Sequence, residues 1–188
     1  RELGALTEAC LVTTTGGLDM YSVAAVLQHG QPEFHVEPLP QWRASEAWEQ
    51  LRARSEESEA RPVAFMANLG AIPSHKARST WARNLLAAAG IHSTDNDGFT
   101  DADSIASAWS ESGASLAVVC GSDADYESML EPAILALKRA NCPLVLVAGR
   151  PGEPEATLRE AGASDFIYVG ADVLSTMSNV LDSIGVER

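Results

Sequence analysis

One imidazole stands where it could do chemistry. His75 follows the apolar run Val63-Ala64-Phe65-Met66-Ala67 by a short loop that leads into an amphipathic segment. In an α/β domain such a loop lies at the carboxyl end of the sheet, where ligands are bound. A neutral imidazole there could ligate a metal or move a proton; it could equally be a polar residue of the helix's first turn. A second cluster follows a later apolar run: Gly121-Ser122-Asp123-Ala124-Asp125-Tyr126 offers two carboxylates and a hydroxyl. Asp123 and Asp125 could bind a metal or accept a phosphoryl group, but Ser122 or either Asp is as well suited to cap the next helix.

Other chemistries are excluded by what stands at the matching positions. A phosphoryl-accepting site would need acidic residues after the first strand and a Lys after the fifth, where this chain has Leu69-Gly70 and Gly170-Ala171. The loop Gly149-Arg150-Pro151-Gly152 lacks both the Gly-x-x-x-x-Gly-Lys phosphate loop and the Gly-x-Gly-x-x-Gly dinucleotide turn. No Ser/His/Asp or Cys/His set falls at converging positions, so no nucleophile and base are nominated. His29, His35 and His92 sit in turn-like or edge settings and read as surface residues.

The elements that must position these residues alternate. From Pro62 onward a short apolar run, a polar loop, an amphipathic segment and a small-residue stop recur, the pattern of βα units. Strands are expected at 63–67, 91–93, 116–120, 144–148 and 166–169, their centres continuous apolar runs, which fits parallel strands covered on both faces. Helices are expected at 74–89, 102–112, 126–140, 154–161 and 173–184, with Ser74 as an N-cap. Gly90, Gly113, Gly162 and Gly185 fall where four of them should stop. Five strands with right-handed crossovers predict a three-layer flavodoxin-like (Rossmann-like) parallel sheet of order 2-1-3-4-5. Its crevice lies between the first and third strands, lipped by residues 68–75 and 121–126.

Residues 1–61 read as an irregular N-terminal arm and linker ahead of a domain at 62–188. Within the arm a helix is possible at 18–27, Gln31 to Pro40 is proline-rich, a short helix at 45–54 presents Trp48 and Leu51, and 55–59 reads as a solvated linker. The chain has 188 residues, 46% of them apolar, enough to bury a sizeable core. A net charge of −13, with 13 scattered Lys and Arg, disfavours nucleic acid and anionic membrane surfaces as partners. Cys10, Cys120 and Cys142 lack metal or redox spacing and read as reduced thiols of a cytoplasmic protein. No run approaches the ~20 apolar residues of a membrane span, and the start without Met suggests a fragment or a processed chain.

The order of features resembles a known family. The segments at 61–70, 77–91, 96–103 and 117–123 carry a resemblance to the C-terminal cobalamin-binding domain of acyl-CoA mutases, above all the small (beta) subunit of heterodimeric methylmalonyl-CoA mutase. Cobalamin-holding members use Asp-x-His-x-x-Gly after the first strand, Ser-x-Leu after the third and Gly-Gly after the fourth. Here the first pattern reads Pro73, Ser74, His75, Lys76, Ala77, Arg78, the second Gly121-Ser122-Asp123 and the third Ala148-Gly149. The resemblance thus implies a degenerate cobalamin site at His75, Ser122 and Gly149, with cobalt on His75 only if the cofactor binds, and no catalytic residue. Pro73 cannot orient the imidazole, and loss of such a partner commonly costs tenfold or more in metal affinity. Arg78 would fill space the family leaves empty. The implied role is a non-catalytic small subunit that stabilises a large (alpha) subunit, the complex carrying adenosylcobalamin for methylmalonyl-CoA/succinyl-CoA isomerisation in propionate metabolism. The alternatives are a divergent mutase domain that uses His75 as lower cobalt ligand, and a stand-alone binding module.

Overall fold

The computed structural model describes residues 43–186. The chain divides after Gln41, and the unit that begins at Trp42 holds every described element. The readings at Cys10, His29, His35, 18–27 and 31–40 lie outside the described residues. In chain order the elements are α1 (Glu46–Glu57), β1 (Val63–Asn68), α2 (Ile72–Ala88), β2 (His92–Thr94), α3 (Ala102–Ser112), β3 (Leu116–Cys120), α4 (Asp123–Arg139), β4 (Val145–Ala148), α5 (Glu155–Ala161), β5 (Asp165–Ile167) and α6 (Val173–Ser183).

The five strands are all parallel, in the order β2-β1-β3-β4-β5 that the alternation predicts. Because strand side chains alternate, each strand feeds two cores. Phe65, Ala67, Val119 and Val147 pack with α3, α4 and α5 on one face, where Phe65 meets Trp109 edge-on at 6.0 Å between ring centroids. Met66, Val118, Leu146 and Ala148 pack with α1, α2 and α6 on the other. The result is three layers of helix, sheet and helix.

Several boundaries move for local reasons. α2 starts at Ile72, with Pro73 in the first turn, so Ser74 is not the N-cap; that position belongs to Ala71, which has no capping side chain. Proline is tolerated there because its missing N–H is one the helix leaves unpaired anyway. α4 starts at Asp123 rather than Tyr126, since Ser122 and Asp125 form a reciprocal capping box. β2 begins at His92 rather than Ile91, and β5 stops at Ile167, leaving Val169 in an exposed turn. α1 runs on through the expected linker to Glu57, because Ser55 is buried and donates to the carbonyl oxygens of Leu51 and Ala89. Gly90, at φ +78°, permits this approach: a Cβ there would stand 2.8 Å from Ser55 Cβ.

Candidate functional site

The expected crevice is where the loops after β1 and β3 meet, and side chains of this chain fill it. Gly70, at φ +71°, brings its backbone so near Asp125 that a Cβ would lie 2.8 Å from the carboxylate. Ser122, in the second lip, is spent on the helix cap: its hydroxyl donates to Asp125 Oδ2 at 2.6 Å and accepts from the Asp125 N–H at 3.2 Å. The Ser122 hydroxyl chiefly holds the Asp125 carboxyl below the usual carboxylate range, against the opposing cost of burial; the Ser122 N–H, the Ser74 hydroxyl and the neighbouring His75 imidazole assist.

Arg78 closes the other side of the crevice. Its Nη1 donates to the Gly121 carbonyl at 2.6 Å, its Nη2 pairs with Asp123, and its guanidinium stands 4.8 Å over the ring of Tyr126. The phenol proton of Tyr126 is shared between the Val119 carbonyl at 3.0 Å and the Ala148 carbonyl at 2.7 Å, tying the ends of β3 and β4 together. Burial pushes this phenol well above its ordinary range. Gly149 meets the same ring, with space for a Cβ only 3.3 Å from it. Arg78 fills space, as its place in the sequence pattern implies, whereas nothing in that pattern assigns Tyr126 a role. Its position four residues after the capping Ser122, one turn into α4, was the available signal.

His75 lies one turn into α2 and is only 2% exposed. The loop after β2 roofs it: a Cβ on Gly98, at φ +103°, would stand 2.9 Å from His75 Cε1. That loop is pinned by Asn96, whose Nδ2 donates to the Met66 carbonyl at 2.6 Å and whose Oδ1 accepts from Asn68 Nδ2 at 3.2 Å. Beneath it three buried polar atoms have no partner among the described residues: His75 Nδ1, Ser79 Oγ and Asn68 Oδ1. His75 and Ser79 also border a pocket of about 230 Å³ shared with Lys76, Arg83 and Asp95. His75 and Ser122 therefore belong to one neighbourhood, bridged by Asp125, whereas Gly149 stands on the far side of Tyr126.

The remaining candidates carry less. His92 is exposed on β2, within 3.0 Å of an Arg61 guanidinium nitrogen. Burial pushes the Cys120 thiol up to about 12 and the Cys142 thiol up to about 11, so both stay protonated and unreactive at neutral pH. Among the described residues no group of three or more His, Cys, Asp or Glu could hold a metal ion, and no helix is long and apolar enough to cross a membrane.

Comparison with known proteins gives a consistent set of relatives. The chain is 38% identical over 152 residues to the methylmalonyl-CoA mutase small subunit of Streptomyces virginiae, a match covering 79% of this chain and 24% of that protein. It is 33% identical over 153 residues to the probable methylmalonyl-CoA mutase small subunit of Mycobacterium tuberculosis, covering 78% and 24%. It is 31% identical over 151 residues to the methylmalonyl-CoA mutase small subunit of Porphyromonas gingivalis, covering 80% and 24%. The chain thus spans about a quarter of the length of the curated relatives it matches. No family model matches it.

Proposed function

This chain belongs, over the stretch it shares with them, to the methylmalonyl-CoA mutase small-subunit family, and from that premise we propose that it is a non-catalytic part of such a subunit, acting in the cytoplasm. Its role is to stabilise a large (alpha) subunit that carries out methylmalonyl-CoA/succinyl-CoA isomerisation. Adenosylcobalamin supplies the radical chemistry of that reaction when bound in the complex.

The observation that carries this reading is the filled crevice. Arg78, Tyr126 and Asp125 occupy the space between the lips with their hydrogen bonds made to this chain's own backbone and side chains. His75 is roofed by the Gly98 turn, and no carboxylate holds its Nδ1. An imidazole that ligates a metal is normally held by a hydrogen bond through its other nitrogen, and a corrin needs an open face against it. The residues present do not fit the group.

A second reading has one observation in its favour: the buried, unpartnered Nδ1 of His75 is an imidazole without a structural duty. On that reading His75, Ser122 and Gly149 hold cobalamin after the roof lifts, with His75 as lower cobalt ligand. Titration of the purified chain with adenosylcobalamin, followed by visible absorption, separates the two. The first reading expects no saturable spectral change and none on His75→Ala. Saturable binding that His75→Ala abolishes would establish the second and remove the first.

A further inference from the structure

The turn after β2 is tied down unevenly. At its far end Phe99 is fixed by backbone and core: its N–H donates to the Asn68 carbonyl at 2.7 Å, its carbonyl accepts from the Gly70 N–H at 2.8 Å, and its ring lies 5.8 Å from that of Phe65. Just ahead of it, Asn96-Asp97-Gly98 makes no backbone–backbone hydrogen bond among the described residues. The tripeptide is held to β1 through one side chain, that of Asn96, by its bonds to the Met66 carbonyl and the Asn68 amide. The preceding Asp95 pairs with Arg83 of α2, but both side chains are well exposed and such a pair adds little.

Closure of this turn has a cost beneath it. It shuts water from Asn68, His75 and Ser79, which are 0%, 2% and 3% exposed, and a polar atom of each is left without a partner among the described residues. A buried polar group without a bond loses its full hydration, whereas a bond broken toward solvent is replaced by one to water. Opening therefore gives up two hydrogen bonds of one side chain and rehydrates three stranded atoms. The closed fit also depends on residue 98 having no side chain. A Cβ there would stand 2.0 Å from the Gly70 carbonyl oxygen and 2.9 Å from His75 Cε1, at a φ of +103° that other residues rarely adopt.

We propose that Asn96-Asp97-Gly98 is a strap that opens as a local unit, with Asn96 as its latch and the junction with the fixed Phe99 as its hinge, and that its opening admits water and small polar solutes to His75. Segments that open in this way are those held by few buried contacts while their neighbours stay packed. The proposal goes beyond both readings of the crevice, since it concerns access to His75 and not what the crevice holds.

The test treats the purified chain with diethyl pyrocarbonate at neutral pH and follows modification of each histidine by peptide mass spectrometry, with His92, exposed on β2, as the internal reference. In the unaltered chain His75 is expected to react at least ~10-fold more slowly than His92. Asn96→Ala, which cuts the latch, and Gly98→Ala, which wedges the strap, are each expected to raise the His75 rate ~10-fold against that reference. Asp97→Ala, at an exposed position in the same turn, is expected to leave it within ~2-fold. Amide hydrogen exchange in β1 and β3 is expected to stay as in the unaltered chain. The proposal falls if His75 of the unaltered chain reacts as fast as His92, or if either opening variant behaves like Asp97→Ala. Faster exchange throughout β1 and β3 would also overturn it, because the turn would then open only with the whole domain.

Discussion

Two buried serines on two helices divide the molecule. Ser55, in α1, is fully buried at the amino end of the sheet, and its hydroxyl donates to the Ala89 carbonyl at 2.6 Å. Ser79, in α2, is 3% exposed nearer the carboxyl end, and its hydroxyl has no partner. The contrast extends to their surroundings. Around Ser55 the polar groups are engaged: Arg52 donates to the Ala87 carbonyl at 3.2 Å, and Arg54 to the Val186 carbonyl at 2.8 Å and to Asp182 at 2.7 Å. Around Ser79 stand the other two orphaned atoms, on His75 and Asn68. Buried polar groups are normally paired, so the amino end is finished as structure. The carboxyl end retains polar groups that the fold does not use, where the family resemblance places a cofactor.

The largest expected effect tests whether α1 is part of this structural end. Leu51→Ala removes a buried side chain from the core shared with Met66, Met177 and Leu181 and should cost roughly 2–5 kcal/mol in urea unfolding. A loss under ~0.5 kcal/mol would mean that α1 contributes nothing to the core.

Alkaline titration tests the dryness of the core. The thiols of Cys120 and Cys142 are raised by burial to about 12 and about 11. Between pH 8.5 and 9.5 the unfolded chain loses thiol protons that the folded chain keeps. Their stabilising contribution is then complete below the unfolded pKa and lost as pH rises. The two together should lower stability by ~2 kcal/mol over that interval, measured under reducing conditions. Stability unchanged across it would mean that water reaches the thiols.

Much of this architecture was legible in the sequence because four of the five strands centre on short apolar runs closed by a glycine or polar loop, the polar edge strand His92–Thr94 being the exception, and because Gly113 and Gly162 stop α3 and α5 in the left-handed conformation. What shifted did so through contacts distant in sequence. Ser55 read as linker because its acceptor, Ala89, is 34 residues away. The roof over His75 was hidden in Asn96-Asp97-Gly98, which signals a turn but not what the turn covers. The cap at Ser122 was foreseen as one of three possibilities. Tyr126 was missed, since an aromatic at the start of a helix reads as core until its hydroxyl is found tying β3 to β4.

The smaller effects return to the two serines, and they carry the comparison because the substitution is the same at both. Ser55→Ala strands the Ala89 carbonyl, which loses a short, buried donor, and should cost ~1–2 kcal/mol. Ser79→Ala removes a hydroxyl that is desolvated on folding without a bond to repay it, and alanine is the better helix former. That variant should be unchanged or more stable by up to ~1 kcal/mol. Equal losses at both sites would show that Ser79 is satisfied in solution, by a trapped water or by rotation toward the Asn68 amide, and the distinction between the ends would dissolve. Opposite signs would show that α2 carries a buried polar group for which the fold itself has no use, as expected if that face descends from a site that once held something.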